Sequence, residues 1–319
     1  MTEAERRALA ALVARLLGAD AAVDPTALPV ALVRRHLLAP LAHRAGAAAL
    51  RGDFIASALQ AERRAAALTE AVAALADAAV PVILLKGVAY AGSIYPDPAE
   101  RPMSDIDLLV PSADFDRAAR TLGRLGYWHA GGPAQLTVTR HAVTFKRRDA
   151  AVDLHRHILH AGRSRIDLAA IWSAARPSHV AGALRPQPIH EYLLHLAHIG
   201  RHEGAVPLIN YVDAHRLSAT LPPAAVADVH GLARAWTNAR AVLAIEAALD
   251  RLADRSAPAP DGLRFPTTRE LLAFEPAPRW VQVVRKLCMI DDWRGVAGLA
   301  TATARSRLAP RWRRRAREM

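Results

Sequence analysis

The feature that most constrains this chain is the stretch RPMSDIDLLV, residues 101–110, in which two aspartates one residue apart precede an apolar run. The run predicts a buried strand. Because residues i and i+2 of a strand point to the same face, Asp105 and Asp107 would project side by side. Two buried carboxylates without partners repel each other and are costly to desolvate. The fold therefore has to neutralise this pair, and a bound divalent cation would do so.

A third carboxylate stands on a later predicted strand. Asp153 lies in AAVDLHRHI between the apolar residues Val152 and Leu154. If that strand pairs beside the strand of Asp107, three carboxylates converge and can hold two metal ions for in-line displacement at phosphorus. Mg²⁺ suits such a site because it takes one or two carboxylates together with substrate phosphates. Asp153 could also accept the proton of an attacking hydroxyl.

Candidate phosphate-binding residues stand near these carboxylates. Gly87 ends the apolar run VPVILLKG and precedes a predicted short helix, so backbone amides there can cradle a phosphate. Lys86 is one of only three lysines in a chain with 42 lysines and arginines. Arg101 could reach a phosphate or hold the carboxylate pair. His155 shares the face of Asp153 and could contact a phosphate or a metal-bound water.

The pattern of hydrophobic residues along the chain predicts an α+β fold. The length of 319 residues and the 52% hydrophobic content indicate a packed globular protein. The pattern predicts an N-terminal helical region at residues 1–80. It predicts a nucleus of the fold, a small mixed sheet flanked by helices, at 81–160, and a C-terminal helical domain with a basic tail at 161–319. The absence of a G-x-G-x-x-G motif argues against a dinucleotide-binding fold.

Within the core, short sequence patterns predict individual elements. Ser112 is the expected N-cap, and Gly126 the expected end, of a helix in SADFDRAARTLGRLGY. Another short helix is predicted in VAYAGSIY. Turns are expected near 131–133 and at Asp149. The predicted strands are VPVILLKG, SDIDLLV, AQLTVTR, HAVTFKRRD and AAVDLHRHI.

The charge and the cysteine content restrict the partners and the compartment. The net charge of +12 favours anionic ligands such as nucleotides or RNA. The basic tail RSRLAPRWRRRAREM is either a solvated end, which we favour, or an electrostatic site for nucleic acid. The single cysteine, Cys288, suits a reducing cytoplasm. Since no run of 18 apolar residues occurs, we expect no membrane partner.

Together, LLKGVAYAGSIYP, RPMSDIDLLVP and VDLHRHI resemble the uncharacterised nucleotidyltransferase family of the polymerase-β-like superfamily. The resemblance covers about residues 80–160, and a weaker similarity follows at 193–217. It implies a mixed nucleotidyltransferase sheet, two Mg²⁺ ions (or Mn²⁺) and a nucleoside triphosphate donor, with ATP as the default. It implies metal binding and catalysis by Asp105, Asp107 and Asp153. The nucleotide-binding candidates are Lys86, Gly87, Arg101, Ser104 and His155.

The phosphate loop has two interpretations. In the superfamily, a Gly-Ser pair usually precedes the Asp-x-Asp motif. Gly87 matches that position, but Val88 stands in place of the serine. Gly92 and Ser93 supply the pair, but they are predicted to lie within or after the short helix. We favour Gly87, with Lys86 doing part of the phosphate binding of the serine.

A group of histidines also has two interpretations. His195, His198 and His202 share one face of a predicted helix, which is compatible with a zinc site. No cysteine accompanies them and no H-E-x-x-H motif occurs, so we favour hydrogen-bonded structural histidines. We place His198 in the acceptor pocket. Asp213 either orients His198 there or caps a helix, and the second interpretation is the simpler one.

We therefore predict a Mg²⁺-dependent nucleotidyltransferase that moves a nucleoside monophosphate to a hydroxyl of a peptide or small molecule. Members of the family often occur in lasso-peptide biosynthesis clusters, so the resemblance suggests a peptide acceptor. One alternative is kinase-like phosphoryl transfer at the same site. Another is a catalytically degenerate nucleotide-binding scaffold for peptide or RNA. Modification of nucleic acid is a third alternative, which the charge permits.

Overall fold

The alanine- and leucine-rich region before Pro81 folds into helices, as its composition predicts. The computed structural model describes residues 1–129, 141–148, 150–159, 164–255, 263–292 and 296–297. Thr2 and Glu5 form a capping box that begins the first helix. The helices of this region are α1 (Glu3–Leu16), α2 (Val30–Arg35), α3 (Ala39–Arg44) and α4 (Arg51–Asp77).

A mixed sheet lies among the helices, and the chain therefore has the predicted α+β fold. Within the described residues its strands are β1 (Ile83–Leu85), β2 (Ile106–Leu109), β3 (Ala142–Lys146), β4 (Ala151–His155), β5 (Arg176–Pro177) and β6 (Leu184–Arg185). Their order is β3-β4-β2-β1-β6-β5. β2 is antiparallel to β1 and parallel to β4. Both β1 and β2 are buried along their whole length, which explains their continuous apolar sequences.

The sheet contains two strands that the sequence patterns do not predict. β5 and β6 follow residue 165, where only helices are expected. Each has two residues, which is too short for hydrophobic periodicity to reveal. β6 pairs in parallel with β1, and the amide of Leu184 donates to the carbonyl of Val82 at 2.8 Å. The sheet thus receives strands from both sides of residue 160, and the division into three regions stays a prediction.

Two helices connect the central strands. α5 (Lys86–Tyr90) follows β1, and α6 (Phe115–Arg124) follows β2. The predicted N-cap role of Ser112 is wrong, because Ser112 begins a 3₁₀ turn and its hydroxyl donates to the carbonyl of Arg156 at 3.4 Å. Gly126 does end the helix region, with the positive φ of +84° that glycine tolerates.

The C-terminal region is mainly helical. Its helices are α7 (Leu168–Ser173), α8 (Pro188–Arg201), α9 (Ile209–Ser218), α10 (Pro223–Ala235), α11 (Ala239–Leu252), α12 (Thr268–Ala273) and α13 (Arg279–Cys288). Apolar residues of α1, α4, the central strands, α8, α9 and α12 belong to one buried cluster. Among the helices of the described ranges, none has the length and apolar character needed to cross a bilayer.

Several predicted features lie outside the described residues. These are the strand AQLTVTR, the turns at 131–133 and at Asp149, and the basic tail from residue 305. The remaining predicted strands and the two core helices are confirmed, with bounds that differ from the sequence patterns by a few residues.

We expect the stability of the protein to depend on pH, because His36 is buried. Its Nε2 donates to the carbonyl of Leu272 at 3.0 Å, and its Nδ1 accepts from the amide of Leu208 at 3.2 Å. Burial lowers the pKa of His36 to about 4. Because the unfolded chain binds a proton here near pH 6.5 and the folded chain does not, stability falls as the pH drops from 6.5 to about 4.

We expect His36 to contribute about 3 kcal/mol to that loss, since one pKa unit corresponds to about 1.4 kcal/mol. The measurement is urea unfolding between pH 7 and pH 4 for the wild type and His36→Gln. The free energy of unfolding of His36→Gln should vary less steeply with pH, by the equivalent of up to one bound proton. Equal slopes for the two proteins would contradict the assignment.

Candidate active site

The pairing of β2 with β4 brings two of the predicted carboxylates together. In the parallel register, Asp107 lies opposite Asp153 and Leu109 lies opposite His155. Asp153 and His155 share one face of β4 because they are two residues apart. Ligand atoms of Asp107, Asp153 and His155 all lie within 4.8 Å of one another. β4 therefore pairs beside β2, and this pairing brings Asp107 and Asp153 together with His155, while the convergence of all three carboxylates stays a prediction.

Asp105 stands on the residue before β2, outside the group of ligand atoms that lie within 4.8 Å of one another. The hydroxyl of Ser104 donates to Asp105 Oδ1 at 3.1 Å. Burial raises the pKa of Asp105, and the negative charges of Asp107 and Asp153 raise it further, while the ammonium of Lys86 opposes this. The three carboxylates thus interact electrostatically, and their mutual repulsion favours a cation among them.

Lys86 neutralises part of this charge. Its Nζ lies 2.7 Å from Asp107 Oδ1, and His155 Nε2 donates to the same oxygen at 2.8 Å. Burial alone would raise the pKa of Asp107, but the charge of Lys86 and the hydrogen bond from His155 hold this pKa well below its usual range. The backbone of Lys86 has a φ of +50°, and such strain in a residue other than glycine concentrates at functional sites.

The residues of this cluster fit a divalent cation. Asp153 Oδ1 is buried and has no hydrogen-bond partner among the described residues. Most buried carboxylate oxygens have a partner, so this atom is open to a ligand beyond those that the described residues provide. Carboxylate oxygens are the ligands that Mg²⁺ and Mn²⁺ prefer. The ligand atoms of Asp107, Asp153 and His155 are close enough together to hold such an ion, and Asp105 stands beside them.

The two candidate phosphate loops lie at opposite ends of α5. Gly87 is buried beside Lys86, and a Cβ at this position would stand 3.2 Å from Met103. Gly92 has a φ of +78° and belongs to the turn after α5. The hydroxyl of Ser93 donates to the carbonyl of Ala89 at 2.7 Å, so it satisfies the end of the helix. Gly87 therefore lies beside Lys86 in the first turn of α5, whereas Gly92 and Ser93 lie after its end.

Arg101 and Asp213 bind each other, although the sequence suggests separate roles for them. Nε and Nη2 of Arg101 lie 2.6–2.9 Å from the carboxylate oxygens of Asp213, and the hydroxyl of Tyr95 donates to Asp213 at 2.7 Å. Both members of the ion pair are buried. Burial lowers the pKa of Arg101, but the carboxylate of Asp213 more than reverses this effect.

This pair changes two interpretations. Asp213 lies inside α9, so the suggestion that it caps a helix is wrong. The remaining hydrogen bond from the guanidinium of Arg101 goes to the carbonyl of Pro102. We therefore leave Arg101 out of the proposed triphosphate ligands, because its buried guanidinium already has partners.

The histidines of α8 differ in their environments. His195 is hydrogen-bonded on both ring nitrogens, to Tyr90 at 3.0 Å and to the carbonyl of Asn210 at 2.8 Å, as expected of a structural histidine. The ring centroids of His198 and His202 lie 5.0 Å apart. Over the described ranges, Asp107, Asp153 and His155 form the only group of three or more residues with cation-binding geometry, so the histidine face of α8 forms no zinc site there.

His198 lines a pocket beside the carboxylates. The enclosed part of the pocket has a volume of about 30 Å³, and the space is about 450 Å³ when its open mouth is included. Burial, and then the positive charge of Lys86, hold the pKa of His198 well below its usual value, so the ring is neutral. Asp213 is not among the residues that line this pocket. The walls include apolar residues and the polar residues Lys86, Tyr90, His155, Glu191, His198 and Arg201.

Two pocket residues are absent from the sequence analysis. Glu191 accepts from Arg185 through Oε2 at 2.5 Å, but its buried Oε1 has no hydrogen-bond partner among the described residues. Burial lowers the pKa of Arg201, and the charge of Asp153 opposes this, so Arg201 lies within electrostatic reach of the cluster. The helical repeat could have identified both residues. Glu191 lies seven residues before His198 and Arg201 lies three residues after it, so all three share one face of the helix.

Comparisons with known proteins identify the family of this chain. A family model described as an uncharacterised nucleotidyltransferase matches residues 26–253, more than two thirds of the chain. A search of curated protein sequences gives no significant match. A search of solved structures finds the solution structure of the antibiotic-resistance factor ANT(2'')-Ia. That structure is 14% identical over 52% of this chain and 89% of its own chain, with a TM-score of 0.36.

Proposed function

This chain belongs to the uncharacterised nucleotidyltransferase family, and we propose that it transfers a nucleoside monophosphate to a hydroxyl group with Asp105, Asp107 and Asp153. The family implies a nucleoside triphosphate as donor and a separate acceptor. The observation that carries the proposal is the β2–β4 register, which sets Asp107 opposite Asp153. The unsatisfied oxygen of Asp153 supports it as well. The single cysteine suits a cytoplasmic enzyme.

We assign the three aspartates to two Mg²⁺ ions, which Mn²⁺ could replace. When bound, these ions would neutralise the charge that develops on the phosphates. Lys86 would then exchange Asp107 for a phosphate oxygen of the donor. Its side chain is long and 29% exposed, so it can leave Asp107 without leaving the site. The backbone amide of Gly87 and the hydroxyl of Ser104 are further candidates for nucleotide binding.

Asp153 is the proposed base. The acceptor hydroxyl oxygen forms a bond to the α-phosphorus, while the bond from this phosphorus to the oxygen that bridges to the β-phosphorus breaks. Pyrophosphate leaves, and the hydroxyl proton passes to Asp153. The carboxylate of Asp153 has two oxygens, so one can accept the proton while the other faces a cation, and its buried Oδ1 has no donor among the described residues. His155 stays on Asp107 and holds that carboxylate in place.

The pocket beside His198 is the proposed acceptor site. Its apolar walls, which include Leu84 and Leu194, suit an aliphatic or aromatic part of the acceptor. The Oε1 of Glu191, which has no hydrogen-bond partner among the described residues, can accept a hydrogen bond from an N–H or O–H group of that acceptor. A peptide and a small molecule both meet these requirements. The family resemblance favours the peptide, such as one made in a lasso-peptide cluster.

Product mass tests the reaction. The protein is incubated with Mg²⁺, one nucleoside triphosphate at a time and a library of hydroxyl-bearing peptides and small molecules. An acceptor that gains a nucleoside monophosphate supports the proposal. Gain of a bare phosphate would instead identify a kinase. Nucleotide binding without any product would identify a degenerate scaffold, and labelled RNA included in the library reports modification of nucleic acid.

Thermal unfolding identifies the donor. We expect one of ATP, GTP, CTP and UTP to raise the melting temperature by several degrees when Mg²⁺ is present, because a ligand that binds only the folded state stabilises it. The double variant Asp105→Asn/Asp107→Asn should lose this shift. An equal shift with and without Mg²⁺, or an equal shift in the double variant, would contradict the proposed metal–triphosphate site.

A further inference from the structure

A groove lined by arginines lies between the N-terminal helices and the sheet. Gln60, Arg63 and Arg64 of α4 face it, together with Arg148 of the turn between β3 and β4. The three α4 residues share one helix face because they stand at positions i, i+3 and i+4. The groove has a volume of about 800 Å³, including its open side. A 2.7 Å ion pair between Arg147 and Glu70 ties the turn to α4.

The guanidinium groups of this groove have no carboxylate partner among the residues that the structure describes. Within the described part of the chain, Arg63, Arg64 and Arg148 form no ion pair with a carboxylate at 4.0 Å or less. Arg64 donates only to the amide oxygen of Gln60, at 3.0 Å. Solvated arginines are common in an arginine-rich chain. These three differ because they converge on one groove, and because Arg64 is half-buried there.

The groove adjoins the carboxylate cluster. Arg148 lies in the turn that leads into β4, three residues before Ala151. Asp105 lies directly before β2, and β2 runs parallel to β4 with Ile106 opposite Val152. Arg148 and Asp105 therefore stand at the same end of these two strands. We expect a triphosphate held at the carboxylates to extend toward the groove.

We propose that Arg63, Arg64 and Arg148 bind the β- and γ-phosphates of the donor, an inference that rests on the proposed function. Guanidinium groups donate paired hydrogen bonds to phosphate oxygens, so three of them match a chain of two phosphates. The same contacts hold the pyrophosphate as it leaves. The N-terminal helix α4 thereby supplies binding residues that the Asp-x-Asp region itself does not contain.

Calorimetric titration with inorganic tripolyphosphate and Mg²⁺ tests this assignment without knowledge of the base. The variant Arg63→Gln/Arg64→Gln/Arg148→Gln should bind at least about 30-fold more weakly than the wild type, given three charge-assisted contacts. The matched control is Arg51→Gln, which changes an exposed arginine at the start of the same helix. The control should stay within about twofold of the wild type.

The outcomes separate the groove from the reaction. Equal binding by the triple variant and the wild type would overturn the groove assignment, and so would a wild type that does not bind tripolyphosphate. If the groove binds tripolyphosphate but the protein transfers no nucleoside monophosphate, the groove stands and the proposed reaction fails. If transfer occurs, the triple variant should raise KM for the triphosphate much more than it lowers kcat. A loss confined to RNA binding would assign the groove to nucleic acid and overturn the proposal.

Discussion

Replacement of Asp107 by asparagine is expected to lower nucleotidyl transfer by at least about a thousandfold, equivalent to roughly 4 kcal/mol of transition-state stabilisation. Asparagine keeps the shape of the side chain but removes the charge that faces Lys86 and the proposed cations. Asp153→Asn should cause a similar loss, because it removes the proposed base as well as a carboxylate ligand. The measurement is the rate of nucleoside monophosphate transfer at saturating donor.

The matched control for these variants is Asp77→Asn, which changes an exposed aspartate at the end of α4. Its rate should equal that of the wild type. The melting temperature of Asp153→Asn should stay within a few degrees of the wild type, because its loss is one of charge among mutually repelling carboxylates. Asp107→Asn also loses its contacts with Lys86 and His155 and should melt at a lower temperature, so its rate is measured well below that temperature. Turnover retained in both Asp107→Asn and Asp153→Asn would rule out the mechanism.

The second large effect concerns stability. Asp213→Ala is expected to lower the free energy of unfolding by about 3–5 kcal/mol, because it leaves the guanidinium of Arg101 buried without its counter-ion. The hydroxyl of Tyr95 loses its acceptor in the same variant. Urea unfolding at neutral pH measures the change. The matched control is Asp250→Ala, which breaks an exposed pair with Arg255 and should cost less than about 1 kcal/mol.

A further variant separates the ion pair from simple loss of packing. If the cost comes from the unpaired charge, Arg101→Met/Asp213→Leu should be more stable than Asp213→Ala alone, since removal of both charges removes the desolvation penalty. If Asp213→Ala costs no more than Asp250→Ala, the buried pair does not stabilise the fold as argued.

The central strands could be predicted because their residues are buried on both faces. ILL of β1 and IDLL of β2 are too apolar to be anything but core, and Asp107 is then an anomaly that calls for a partner. The sequence did not predict that β2 pairs with β4, and the site depended on this pairing. Register could not be predicted because it depends on the whole sheet. β5 and β6 have two residues each and leave no periodic signal.

Contacts between residues far apart in the chain could not be predicted from the sequence. Arg101 and Asp213 are 112 positions apart, and nothing local indicates that they pair. Arg63 and Arg64 look like ordinary solvated charges on a helix, and only the fold places Arg148 opposite them. Glu191 was within reach, because it occupies the helix face of the histidines that the spacing singled out. Local pattern identified the carboxylates, and tertiary packing decided which cations face them.

The ion pair between Lys86 and Asp107 affects the order in which metal and nucleotide bind. Before any substrate arrives, Lys86 serves as a resident counter-ion, so the empty site carries less negative charge than three aspartates suggest. A divalent cation arriving alone must compete with this ammonium. A divalent cation that arrives bound to a triphosphate brings phosphate oxygens, which the ammonium of Lys86 can contact in place of Asp107. We therefore expect metal and nucleotide to load cooperatively, each raising the affinity for the other, so that the enzyme does not fill with free Mg²⁺ while the donor is scarce.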